Sequence, residues 1–128
     1  MSCTIVFDAG VGVVKATYIG NEEFDSLSSS VDATIKELLD NNCSRLLCDL
    51  SQSTIRMSVF EIVRIEKIIN DAFRAHNILP MKIKRAMVRK INKANLDNYH
   101  FFETSSVNNL HRVKVFSQSD EALDWLLK

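Results

Sequence analysis

Arg45-Leu46-Leu47-Cys48-Asp49-Leu50 is the stretch on which the fold turns. Six residues are too few for a helix, and polar residues bound the run on both sides, so it reads as a mostly buried strand in mid-sheet. The next element is helical. After a polar loop from Ser51 to Met57, Ser58 and Glu61 have the spacing of a capping box. Val59, Ile62, Val63, Ile65, Ile69, Ala72 and Phe73 then give a broad apolar stripe that ends near His76-Asn77, before Pro80. A buried strand leading into an amphipathic helix is the repeating unit of a parallel sheet.

The flanking sequence extends this pattern in both directions. Cys3 to Asp8 and Val11 to Tyr18 are β-branched runs joined by Asp8-Ala9-Gly10, which predicts an antiparallel hairpin. Phe24, Leu27, Val31, Ile35 and Leu38 mark a first helix that ends at Asp40. Beyond the central pair, Met81 to Val88 reads as a fourth strand, although Lys82, Lys84 and Arg85 interrupt it. A third helix from about Ala94 to Val107 turns Leu96, Tyr99, Phe102 and Val107 inward. Arg112 to Phe116 is a last strand, and a helix from Asp120 to Leu127, capped by Ser119, is anchored by Trp125. The expectation is one α/β domain over residues 1–128, with a five-stranded mixed, mostly parallel sheet that opens with an antiparallel hairpin, and four helices. Lys15 and Thr17 alternate with apolar residues, so one face of the sheet should be wetter than the other.

Composition excludes several classes. The 128 residues are 46% hydrophobic, enough for one core, and carry 16 basic and 16 acidic side chains. Without a net field, nucleic acid is disfavoured as a partner. Lys82, Lys84, Arg85, Arg89, Lys90 and Lys93 form a local basic stretch, but no aromatics interleave it. A solvated face, or a contact with the acidic first helix region of another copy, accounts for it. No apolar run approaches the roughly 18 to 20 residues of a membrane span, and Met1-Ser2-Cys3-Thr4 lacks the marks of a signal peptide, so a cytoplasmic location is expected. Cys3, Cys43 and Cys48 form no C-x-x-C pair and read as reduced thiols.

No catalytic grouping is legible. His76, His100 and His111 stand far apart, without metal-ligand spacing, and read as surface or helix-end histidines. Gly10-Val11-Gly12 precedes a strand rather than a helix, so it is a turn and not a dinucleotide loop. No serine or cysteine has a base placed by spacing. The sequence therefore predicts neither catalytic residues, cofactor nor metal, and a protein that is not an enzyme.

Two segments carry a resemblance to a known family. Arg45 to Ser51, ending in Asp-Leu-Ser, and Val115 to Leu126, containing Glu121-Ala122-x-x-Trp125-Leu126, resemble the central strand and the closing strand and helix of bacterial STAS-like proteins. These are related to anti-sigma-factor antagonists and to Sec14-type domains. The resemblance implies the SpoIIAA-like (βα)n superhelix and a regulatory, protein-interaction role. In phosphoregulated members an Asp-Ser-x-Gly serine heads the helix after this strand. Ser58 falls at that place, with Met57 where the acid would stand and Phe60 where the glycine would stand.

The candidate interaction or phosphorylation residues are thus Asp49, Ser51, Ser53, Arg56 and Ser58. Asp49 closes a central strand, where open α/β sheets place function, and it is equally positioned to fix the adjoining loop through hydrogen bonds. Ser58 has a structural role as an N-cap, and a phosphate there would meet free amides and Arg56. The expected partner is a protein, a second copy of the chain included. The alternative, suggested by the Sec14 kinship and by Phe101-Phe102, is a carrier of a lipid-like or other apolar small ligand.

Overall fold

The computed structural model describes residues 2–20, 24–53, 59–90 and 96–128. Among them are five strands and four helices in the order β1 (Ser2–Asp8), β2 (Val13–Gly20), α1 (Phe24–Asp40), β3 (Arg45–Ser53), α2 (Val59–Ala75), β4 (Lys84–Val88), α3 (Leu96–Asn108), β5 (Arg112–Phe116) and α4 (Ser119–Leu126). Strand order in the sheet matches chain order, with β1 antiparallel to β2 and the other neighbours parallel. The expected mixed, mostly parallel sheet is present.

The hairpin turn is built by Asp8. Its Oδ1 accepts the Gly10 amide at 3.0 Å, and its carbonyl accepts the Gly12 amide at 2.8 Å. Gly12 sits at φ 71°, which a residue without Cβ adopts freely.

Because each parallel strand is added on the same side of the last, crossovers of one hand place α1, α2 and α3 on one face. There Val14, Ala16, Tyr18, Leu46, Leu50, Met87, Val113 and Val115 meet Ile35 and Leu38 of α1, Ile62, Ile65, Ile69 and Phe73 of α2, and Tyr99 and Phe102 of α3. On the other face α4 lies alone, its Ala122 and Leu126 against Val13, Leu47, Ala86 and Val88. Five strands about 4.8 Å apart are wider than the roughly 10 Å of one helix. Lys15 and Thr17, on this second face, are accordingly only half-buried, and the expected wetter face is this one.

The three crossover helices end in the same way. Asn42, Asn77 and Leu110 adopt φ of 47°, 57° and 68°. The residue after each donates its amide back over five residues: Cys43 to the Leu38 carbonyl (2.8 Å), Ile78 to Phe73 (2.9 Å) and His111 to Ser106 (2.9 Å). These are Schellman closures, for which glycine is the usual residue. The chain has only three glycines and uses none of them here.

Four expectations are corrected. Residues Pro80–Lys82 form a 3-10 turn, with proline at its first position, so β4 begins at Lys84 rather than Met81. Ser119 is the first residue of α4 and not its cap; Gln118 occupies that place without a side-chain hydrogen bond. Leu96 and Val107 are both exposed rather than inward, and the buried face of α3 runs through Tyr99, Phe102 and Ser106. The basic stretch is not one face, since Lys84 and Arg85 are both buried on opposite sides of β4. Trp125 does anchor α4, packing against Phe116 at 5.8 Å and lying 4.4 Å from Lys84 Nζ.

Candidate functional site

The end of β3 carries the residues singled out from sequence. Between Thr17↔Asp49 and Ile19↔Gln52 the register advances by two residues on β2 and three on β3. This extra residue is a bulge, which leaves backbone groups of β3 off the ladder. Asp49 spans it: Oδ1 accepts the Ser51 amide at 2.9 Å and the Ser51 hydroxyl at 2.6 Å. Ser53 lies further along the strand, paired with Gly20, and is half-buried. Arg56 and Ser58 lie outside the described residues. Of the five candidates, the structure therefore brings Asp49 and Ser51 together across a bulge, and β3 runs on to Ser53 instead of giving way to a loop at Ser51 as expected, because Gln52 and Ser53 pair with Ile19 and Gly20.

No hydrogen bond or ion pair among the described residues joins a histidine to Asp49 or Ser51. Asp49 pairs across the sheet with Val88, and Val88 with Phe116, whereas His111 precedes Arg112, which pairs with Lys84 at the opposite end. His76 faces Asp32 at 3.8 Å on the surface. Among the described residues, no group of three or more His, Cys, Asp or Glu side chains is placed to hold a metal ion, and no helix is long and apolar enough to cross a membrane.

His111 is a helix-end residue, as one of the two expected readings has it, but not a surface one. It is buried, its ring edge-on to Phe73 at 5.0 Å, and Nε2 bonds Asn70 Oδ1 while Nδ1 has no partner. Burial, reinforced by the positive charge of Arg85, brings its pKa down to about 4.

A second feature was not legible in the sequence. Between α1, α2 and the sheet lies an apolar cleft of about 70 Å³, walled by Ile35 and Leu38 from α1, Ile65 and Ile69 from α2, and Leu46 and Met87 from the sheet. A single water needs only roughly 10–15 Å³, and an apolar site of this size offers water few partners. Two polar side chains at its edge are already engaged. The Tyr18 hydroxyl meets Ser30 Oγ at 3.1 Å, and Thr34 Oγ1 donates to the Ser30 carbonyl at 2.7 Å. Burial pushes the Tyr18 phenol well above its ordinary pKa, so it stays neutral.

The third polar group in the wall is Arg85, only 7% exposed. Its guanidinium lies 5.8 Å from the Phe73 ring centre, and its Nε has no hydrogen-bond partner. Burial works against its charge, while Cys48 and Glu66 favour it. Glu66 does not close an ion pair with it. One carboxylate oxygen of Glu66 accepts the Ser105 hydroxyl at 2.6 Å, and the other is buried without a partner. The signal was present as two consecutive charged residues, Lys84 and Arg85, within Ile83 to Val88, but the burial of Arg85 depended on what α2 and α3 place over it.

No family model and no curated protein matches the sequence. Solved structures do match nearly end to end. An anti-sigma factor antagonist from Mycobacterium paratuberculosis superposes with a TM-score of 0.61 at 16% identity, over 99% of this chain and 96% of that one. An uncharacterized protein of the DUF3478 family with a SpoIIAA-like fold, from Shewanella loihica, gives 0.60 at 12% identity, over 98% of this chain and 92% of that one. Superposing on these structures over nearly its whole length, this chain has the SpoIIAA-like fold of STAS-like proteins.

Proposed function

We propose that this chain is a non-catalytic, cytoplasmic protein-interaction module whose partner docks where β3 ends and α2 begins. The observation that carries the reading is Phe60, in the first turn of α2, which is 71% exposed, with Val63 exposed one turn on. Two large apolar side chains on one exposed helix face are the composition of an interface core. The correspondence of fold with an anti-sigma factor antagonist, a regulatory protein, supports the same role. In this reading Ser53, Arg56 and Ser58 belong to the docking segment, and a phosphoryl group on Ser58 would alter its charge.

The test is quantitative affinity capture with the full chain and its Phe60→Ser variant, together with sedimentation of each alone to detect self-association. A partner, or a dimer, that the native chain forms and the variant loses supports the proposal. Equal capture by both chains, with both monomeric, refutes the docking surface.

The cleft favours a second reading, a carrier of an apolar small ligand that widens the cleft as it enters, since the walls of this small, solvent-reachable void are almost wholly apolar. Native mass spectrometry of the protein purified without detergent tests it through a bound, releasable mass.

A further inference from the structure

We infer that Arg85 is the anion anchor of the cleft and that its ligand is a single-chain aliphatic carboxylate, with the head on the guanidinium and the tail between α1 and α2. The inference rests on the second reading above and specifies the ligand class.

Three observations lead to it. The first is the state of Arg85. An arginine keeps its proton at any ordinary pH, so its burial demands an acceptor. Its neighbour Lys84 has one: on the opposite face its ammonium donates to the Trp125 carbonyl and lies against the indole ring. Arg85 Nε has none, and Glu66, the acid that acts on it, holds Ser105 instead. The second is the engagement of the other polar groups. Tyr18 and Thr34 are already bonded at Ser30, which leaves the Arg85 Nε–H as the donor in the wall with spare capacity. One charged head is provided for, rather than a polar ligand with many contacts.

The third is shape and chemistry together. An Nε–H is one prong of the edge with which a guanidinium grips a carboxylate by two parallel hydrogen bonds. The rest of the cleft wall is largely aliphatic: Ile35 and Leu38 on one side, Ile65 and Ile69 on the other, and Leu46 from the sheet. A carboxylate with an alkyl tail satisfies both ends. A neutral alkane or alcohol would fill the walls and leave the guanidinium unmet.

Titration calorimetry on the native full chain with octanoate and with octan-1-ol, which share a tail and differ in the head, decides the matter. Binding of octanoate at least about tenfold tighter than the alcohol is the expected result, the worth of a charge-assisted bond. In Arg85→Met the gap should close, with the alcohol still bound. Amide shifts on adding octanoate should centre on β3, β4, α1 and α2. Equal affinity for the two probes in the native chain would overturn the anchor and leave an apolar carrier standing. Absence of binding by either would overturn both, and shifts centred away from the cleft would overturn the site. The comparison in the native chain decides even where the variant fails to fold.

Discussion

Lys84 and Arg85, consecutive in β4, point to opposite faces of the sheet and meet opposite fates: the lysine is capped by the Trp125 carbonyl and ring, while the arginine is buried beside Phe73 with Nε unpartnered. The pair lends itself to a stability test. Truncating Lys84 to alanine removes a hydrogen bond and the stem that packs on Trp125, and should cost about 1–2 kcal/mol in urea unfolding. Arg85→Met, of similar length, removes a buried charge that closes no ion pair among the described residues, and should leave stability unchanged or raise it by about 1–2 kcal/mol without ligand. A large loss in Arg85→Met would show that Glu66 already neutralises the guanidinium.

Leu110 closes α3 at φ 68°, a conformation that costs a residue with a Cβ about 1–2 kcal/mol, and its side chain is 62% exposed. Leu110→Gly gives up little packing, so it should raise unfolding stability by about 0.5–1 kcal/mol after the larger unfolded-state entropy of glycine is counted. A lowered melting temperature would contradict this account of the helix end.

Acid should weaken the protein through His111. Its folded pKa of about 4 lies below the ordinary 6.5, so the unfolded chain takes up the proton first. Stability is fully present above pH 6.5, falls as pH drops through the window to about 4, and levels off below it. The loss attributable to this residue is roughly 3 kcal/mol at most. Denaturation series at pH 7.5 and 4.5 should show it, and His111→Gln, which keeps an amide for Asn70, should flatten that part of the profile.

Asp49 provides a check on structure against function. Asp49→Ala removes two hydrogen bonds at the bulge and should cost about 1–2 kcal/mol, whereas Ser51→Ala, which keeps the amide bond to Asp49, should cost under about 1 kcal/mol. If Asp49→Ala unfolded at the native urea midpoint, the bulge-fixing role would be wrong.

Phe60 is expected to behave in the opposite way. Being exposed, Phe60→Ser should change stability by no more than about 0.5 kcal/mol, read by thermal unfolding, while it abolishes partner capture.

The order of elements was legible in the residues. β-branched runs at Cys3 to Asp8 and Arg112 to Phe116, and three- and four-step apolar spacing from Val31 to Leu38 and from Ile62 to Phe73, impose their period on the backbone whatever surrounds them. The site was legible only in part. Asp49 and Ser51 could be read because their bonds are local in sequence.

Periodicity and turn chemistry act within a few residues, so the order of amino acids was enough to set which segments are strands and helices and that they alternate. It took the packing of distant segments to make Arg85 and His111 interior, to leave Val107 outside, and to open an apolar cleft between α1 and α2. Burial of a side chain depends on what other segments lay over it, and for Arg85 those are α2 and α3, on either side of it in the chain.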